Sequence, residues 1–253
     1  MSKTTLITGA SSGFGKAIAE KFAKGGWNLI LTARRKEKLE LVASELSKQY
    51  GIKTHCLFFD VQDKEAVFSQ LSNLPLEWQA IDLLVNNAGL ALGRDPFDQA
   101  NLDDWETMIN TNVKGLLYTS RAVLPYLIKQ KGHIINIGST AGKEVYKDGN
   151  VYCATKHAVD AITKAQRIDL LPHQIKVTSI HPGASETEFS IVRFKGDAAK
   201  ANAVYDGYKA LQAEDIADVA WYAANVPAHV CINDVVLTCV AQANSMYLHK
   251  PSM

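Results

Sequence analysis

Short runs of Val, Ile, Leu and Thr alternate along this chain with longer stretches whose apolar positions recur at three- and four-residue intervals. The short runs predict strands at residues 4–8, 28–33, 54–59, 83–86, 133–137, 176–180 and 235–238. The longer stretches predict helices at 16–23, 36–50, 64–71, 103–129, 152–171 and 215–225. Because the strand runs are continuously apolar, they are expected to be buried on both faces, and strand–helix repetition then implies a parallel sheet covered by helices. The expected architecture is one doubly wound α/β domain spanning residues 1–253, with a mostly seven-stranded parallel sheet and ligands at the carboxyl ends of its strands.

One stretch departs from this rhythm. Residues 188–211 mix aromatic and basic side chains with Gly196 and Gly207 after the sixth strand run. Long excursions at a strand's carboxyl end are often binding loops, so this one is expected to be a substrate-covering lid.

Composition narrows the function class. The 253 residues carry 27 Lys plus Arg against 26 Asp plus Glu, a net charge of +1, and are 47% hydrophobic. A chain of this size buries roughly 70% of its unfolded surface, enough for a core without staples. Near-neutrality removes the broad field that a nucleic-acid or membrane-surface binder needs, and the partner is expected to be a small molecule. Cys56, Cys153, Cys231 and Cys239 form no Cys-x-x-Cys pair, and the seven histidines form no metal-ligand spacing, so no metal is expected. The N-terminus has no signal-peptide pattern and no run approaches the roughly 18 apolar residues of a membrane span. The expected location is cytoplasmic.

The strongest local signal follows the first strand: Thr8-Gly-Ala-Ser-Ser-Gly-Phe-Gly15, opening directly into a helix. Gly9, Gly13 and Gly15 permit a tight turn in which backbone N–H groups, with Ser11, Ser12 and Phe14, can approach a pyrophosphate. The second strand ends Leu-Thr-Ala-Arg34-Arg35, where an NAD site would place an acid. Two guanidiniums instead suit a ribose 2′-phosphate, so NADP(H) is the expected cofactor. After the fourth strand stands Val85-Asn-Asn87-Ala88-Gly89, and after the fifth Ile137-Gly-Ser139, followed by Tyr152-Cys-Ala-Thr-Lys156. Tyr152 and Lys156 share one helix face, whereas a second match, Tyr205 to Lys209, lies in the excursion with no serine-bearing strand end before it.

In this order and at these distances the motifs resemble the short-chain dehydrogenase/reductase family over essentially the whole chain, which implies a Rossmann-like fold. The resemblance implies catalytic roles for Asn112, Ser139, Tyr152 and Lys156. Tyr152 would exchange a proton with the substrate oxygen, Ser139 would hold that oxygen, Lys156 would lower the phenol's pKa and grip the nicotinamide ribose, and Asn112 would anchor a water beside Lys156. It also implies cofactor contacts from Asp60, Val61, Asn87, Ala88, Gly89, Pro182, Gly183, Ser185 and Thr187. Stretches such as Glu188-Phe-Ser-Ile-Val-Arg-Phe-Lys-Gly-Asp197 are similar to the branch of NADP-dependent 3-hydroxy acid dehydrogenases acting on serine, allo-threonine and 3-hydroxypropionate. An acid-bearing substrate needs a cation, and Arg193 and Lys195 are the candidates. Other small carbonyls such as sulfoacetaldehyde, or a non-catalytic NADP-binding sensor, are the alternatives. The family implies a homo-oligomer, dimer or tetramer, and a C-terminal tail at residues 246–250 that approaches a neighbouring subunit's site.

Overall fold

The computed structural model describes residues 2–250. Seven strands form one sheet in the order β3-β2-β1-β4-β5-β6-β7, every neighbouring pair parallel. They are β1 (Thr4–Thr8), β2 (Asn28–Ala33), β3 (Thr54–Phe58), β4 (Leu83–Asn86), β5 (His133–Ile137), β6 (Lys176–Pro182) and β7 (Asp234–Leu237). The inner strands β1, β4 and β5 are buried at every position, as their continuous apolar runs require.

Helices α1 (Gly13–Lys24), α2 (Lys36–Tyr50) and α3 (Lys64–Leu71) follow the first three strands. Then come α4 (Leu102–Ile109), α5 (Leu116–Gln130), α6 (Asn150–Asp169), the short α7 (Glu188–Arg193) and α8 (Ala198–Ala203), and α9 (Ala213–Asn225). Phe22 of α1, Leu39 of α2 and Ile216 of α9 belong to one core beneath the sheet, while Val67 of α3 and Val123 and Leu127 of α5 belong to the other. On the first face Phe22, Trp27 and Trp221 pack edge to face, with ring centroids 5.0 to 6.2 Å apart. No described helix is long and apolar enough to cross a membrane.

The single helix expected over residues 103–129 is interrupted. Asn110–Gly115 is a π-helical turn, because the Asn112 amide is drawn out of the helix face to bond the Leu90 backbone twice, at 2.8 Å each way. β6 also runs two residues past its expected end, carrying His181 and Pro182 to the rim of the sheet. Strand order reverses between β1 and β4, and the crevice at their carboxyl ends opens into a cleft of about 1150 Å³.

Candidate active site

The cleft begins at the turn between β1 and α1. Gly9 and Gly13 adopt φ of +67° and +51°, a left-handed backbone that a side chain would strain. Gly15 serves differently: it is buried outside the cleft lining, and a Cβ there would collide with the Gly9 carbonyl and the Asn87 amide. This close approach brings the first turn of α1 against the cleft floor. The N-cap Ser12 makes no side-chain cap, and its hydroxyl is turned instead to Arg35 at 2.7 Å. The N–H groups at the start of α1 are thereby left for an anion, so the turn fits a pyrophosphate.

Arg34 and Arg35 line the neighbouring end of the cleft as exposed side chains. Arg34 reaches Asp60 at 3.2 Å, and Arg35 reaches Ser11, Ser12 and Glu188. Both guanidiniums therefore hold carboxylates, through exposed pairs that are worth little in water and readily exchanged for a doubly charged phosphate. Asp60 also accepts the Gln62 N–H at 3.0 Å, while the cap of α3 comes from Asp63. Val61 is buried against Gly115, where any side chain would meet it. Asn87 donates to the Thr8 carbonyl at 2.8 Å and so ties the β4 loop to the glycine turn. Ala88 and Gly89 continue the lining.

Deeper in, Tyr152 and Lys156 occupy one face of α6, and both are buried. Burial holds the Tyr152 phenol well above its ordinary range, and neighbouring Tyr146 adds to the rise, while the Ser139 hydroxyl and Arg193 act against it. Burial also lowers Lys156 to about 8. Its ammonium donates to the Ile137 carbonyl at 3.0 Å, and the Arg193 guanidinium also acts to lower the phenol. Ser139 Oγ accepts the Ala141 N–H at 3.1 Å, which leaves its own proton to donate. Asn112 does not line the cleft: besides Leu90 it holds Thr155 at 3.1 Å, and a side chain on Gly89 would meet its Oδ1 at 3.2 Å and Lys156 Nζ at 3.6 Å. It thereby joins the loop after β4, the π-helical turn and α6.

Residues 188–211 cover the far wall. The Arg193 guanidinium lies 5.5 Å over the Tyr152 ring and 5.6 Å over the Tyr146 ring, and it donates to Tyr146 Oη at 2.9 Å and to the Gly93 carbonyl at 3.2 Å. Lys195, the other cation proposed for the substrate, also lines the cleft but pairs with Asp104 at 2.8 Å. Phe189 packs on Tyr152 at 5.7 Å. Tyr205, the tyrosine of the second match, donates to the Ser185 carbonyl at 2.7 Å and so ties residues 188–211 to the end of β6.

Pro182, Gly183, Ser185 and Thr187 line the cleft. Gln242 Oε1 accepts the Ala184 N–H at 2.7 Å and fills the space beside Gly183, a support no local pattern announces. Tyr146, Arg94 and Thr111 also line the cleft without a sequence signal, the Thr111 hydroxyl buried and unpartnered. Met246, Leu248 and Lys250 line the cleft of their own subunit.

A family model described as short chain dehydrogenase matches residues 3–197. The chain belongs to the short-chain dehydrogenase family. Among curated short-chain dehydrogenases it is 48% identical, over 94% of its length and 95% of the relative's, to the NADP-dependent 3-hydroxy acid dehydrogenase YdfG of Salmonella typhimurium. It is 45% identical to sulfoacetaldehyde reductase 2 of Chromohalobacter salexigens, covering 98% of both chains, and 44% identical to serine 3-dehydrogenase of Agrobacterium fabrum, covering 96% of both. The closed form of a serine dehydrogenase complexed with NADP+ superposes with a TM-score of 0.90 at 45% identity, covering 98% of this chain and 99% of that one. As a short-chain dehydrogenase, the protein is an oxidoreductase acting on hydroxyl groups, with the doubly wound sheet of that family.

Proposed function

We propose that this enzyme interconverts a short acid-bearing alcohol, a 3-hydroxy acid such as serine, allo-threonine or 3-hydroxypropionate, with its aldehyde or ketone, using NADP(H). One observation carries the reading: the Tyr152 phenol shares the cleft with the Ser139 hydroxyl and the Arg193 guanidinium, so a proton donor, an oxygen anchor and an acid anchor line one site. The whole chain works as one domain, with residues 188–211 as its lid.

When bound, the nicotinamide supplies hydride to the substrate carbon or accepts it. Tyr152 Oη carries its proton at neutral pH because burial disfavours phenolate, which suits donation to a carbonyl oxygen. In the oxidative direction the phenol first releases its proton to solvent, and the phenolate, favoured by the Ser139 hydrogen bond and Arg193, takes the hydroxyl proton. Ser139 donates to the reacting oxygen the proton that its contact with the Ala141 N–H leaves free. Arg193 grips the substrate's carboxylate, and its stacking on Tyr146 and Tyr152 fixes the direction of that grip. Arg35, with Ser11 and Ser12 beside it, and Arg34 receive the cofactor's 2′-phosphate.

The same guanidinium would hold a sulfonate in the same way, and the Chromohalobacter relative favours sulfoacetaldehyde as a second reading. A screen of NADP reduction over serine, both threonine diastereomers, 3-hydroxypropionate and isethionate separates the two. Tyr152→Phe should lower kcat by about 10²- to 10⁴-fold while retaining NADPH binding. Activity within tenfold of wild type would remove Tyr152 as proton donor. Arg193→Ala should raise KM for the acid-bearing alcohol and spare a neutral one.

Assembly and location extend the proposal. Leu102, Ile109, Leu117 and Ile168 on α4, α5 and α6 are exposed, which supports a dimer or tetramer formed through these helices in the cytoplasm.

A further inference from the structure

The chain that follows β7 folds back as a hairpin over residues 241–249 and reaches two walls of the cleft at once. It is closed by the Ala243 N–H on the Tyr247 carbonyl at 3.0 Å and by the His249 N–H on the Ala241 carbonyl at 2.8 Å. On one side the Ser245 N–H donates to Glu144 Oε2 at 3.0 Å, in the segment that follows Ser139. On the other, Gln242 Oε1 accepts the Ala184 N–H at 2.7 Å, in the loop that follows β6. A backbone N–H can only donate, so this contact fixes which way the Gln242 amide is turned.

The same contact accounts for the glycine at 183. Its φ lies outside the left-handed region, so the backbone itself does not require glycine there. Space does: a Cβ on Gly183 would run into Gln242 Oε1 and would lie 3.0 Å from Gln242 Cδ and from the Thr238 methyl. The neighbouring groups are held by backbone, the Gly183 N–H by the Leu237 carbonyl at 2.8 Å and the Ala184 carbonyl by the Leu211 N–H at 3.0 Å. Gln242 supplies the acceptor for Ala184 that this backbone does not.

Pro182, Gly183, Ser185, Thr187 and Gln242 line the cleft at the end of β6, together with Ser139 and Tyr152. Arg34 and Arg35 stand at the end of β2, with β1, β4 and β5 in between. A dinucleotide with its 2′-phosphate at Arg35 and its reacting ring beside Tyr152 therefore offers its nicotinamide half, not its adenosine half, to the loop after β6. We propose that Gln242 is a positioning residue for the nicotinamide half of NADP(H): by holding Ala184 across the space that Gly183 leaves open, it sets the loop against which the reacting ring rests. The C-terminal hairpin is thereby a working part of its own subunit's site. The inference rests on the cofactor placement given above and not on the identity of the substrate.

Equilibrium binding to the full-length protein compares NADPH with 2′,5′-ADP, which carries the adenosine and the 2′-phosphate but no nicotinamide. Gln242→Ala should weaken NADPH about tenfold, the scale of one lost hydrogen bond that leaves a donor unpaired, and leave 2′,5′-ADP within about twofold. Gly183→Ala should weaken NADPH to a similar extent alone, and by less than about twofold in the Gln242→Ala background, where the added methyl has the vacated space. Unchanged NADPH affinity in Gln242→Ala, equal weakening of both ligands, or additive effects of the two substitutions would each overturn the proposal. Should Gln242→Ala fail to fold, Gln242→Met keeps the length without the acceptor and carries the same expectation for the two ligands. Arg35→Ala should weaken both ligands and so tests the cofactor placement separately, which makes failure of that placement distinguishable from failure of the role given to Gln242.

Discussion

Arg35 Nη1 lies 3.0 Å from Glu188 Oε2, joining the end of β2 to the first turn of α7 across the mouth of the cleft. A phosphate bound by Arg35 must share the guanidinium with this carboxylate or displace it. Glu188→Gln removes the competing charge and should tighten NADPH by about two- to fivefold, the scale of an exposed ion pair, with NADH unchanged. Titration of both cofactors at low salt measures the ratio; an unaltered ratio would show that the pair has no bearing on the phosphate.

Gly15 is a packing residue, not a cleft residue. Gly15→Ala pushes a methyl into the Gly9 carbonyl and the Asn87 amide, which come from separate loops and cannot both retreat. We expect a loss of about 1–3 kcal/mol in urea unfolding, together with weakened NADPH binding as the turn shifts. A variant with the wild-type midpoint would sink the packing argument.

Lys156 is charged in the unfolded chain up to about pH 10.5 and in the folded protein only up to about 8, with burial as the cause. Its ammonium therefore penalises the fold below pH 8, and stability recovers as pH rises through the window between 8 and 10.5. The full difference is about 3 kcal/mol by linkage. Lys156→Met should lack this dependence, and the gap between variant and wild-type unfolding free energies should move in favour of wild type from pH 7 to 10. Parallel stability curves would contradict it.

His133 works at the acid end. It is buried with Nε2 2.7 Å from Thr178 Oγ1, and burial lowers it from 6.5 to about 3. The unfolded chain binds a proton below pH 6.5 that the folded one refuses, so stability is present above 6.5 and is lost as pH falls toward 3, by about 1.4 kcal/mol per unit. His133→Gln should flatten the acid limb of the stability profile; an equally steep limb would assign it to other groups.

Much of this protein was legible because its signals are local. A strand buried on both faces must be continuously apolar, so β1, β2, β4 and β5 could be bounded to the residue. The glycine turn, Arg34 and Arg35, and the Tyr152–Lys156 spacing each lie within one strand end or one helix. The break at Asn110–Gly115 was not legible, since its cause is a bond from Asn112 to Leu90, and helical periodicity carries no trace of that partner.

What the sequence determined by itself, then, was the order of elements, the side of the sheet on which ligands bind, and the residue types present there. Tertiary structure alone decided how those residues are charged and held. Arg193 meets Tyr152 and Tyr146 because α7 folds back over α6, and Gln242 supports Ala184 because β7 pairs with β6. His181 faces Ser139, Asp160 and Asp234 only where β5, β6, β7 and α6 converge. The reason is physical: chain periodicity reports which face of an element is buried, whereas a pKa or a hydrogen-bond partner depends on distances of a few ångström between segments far apart in the chain.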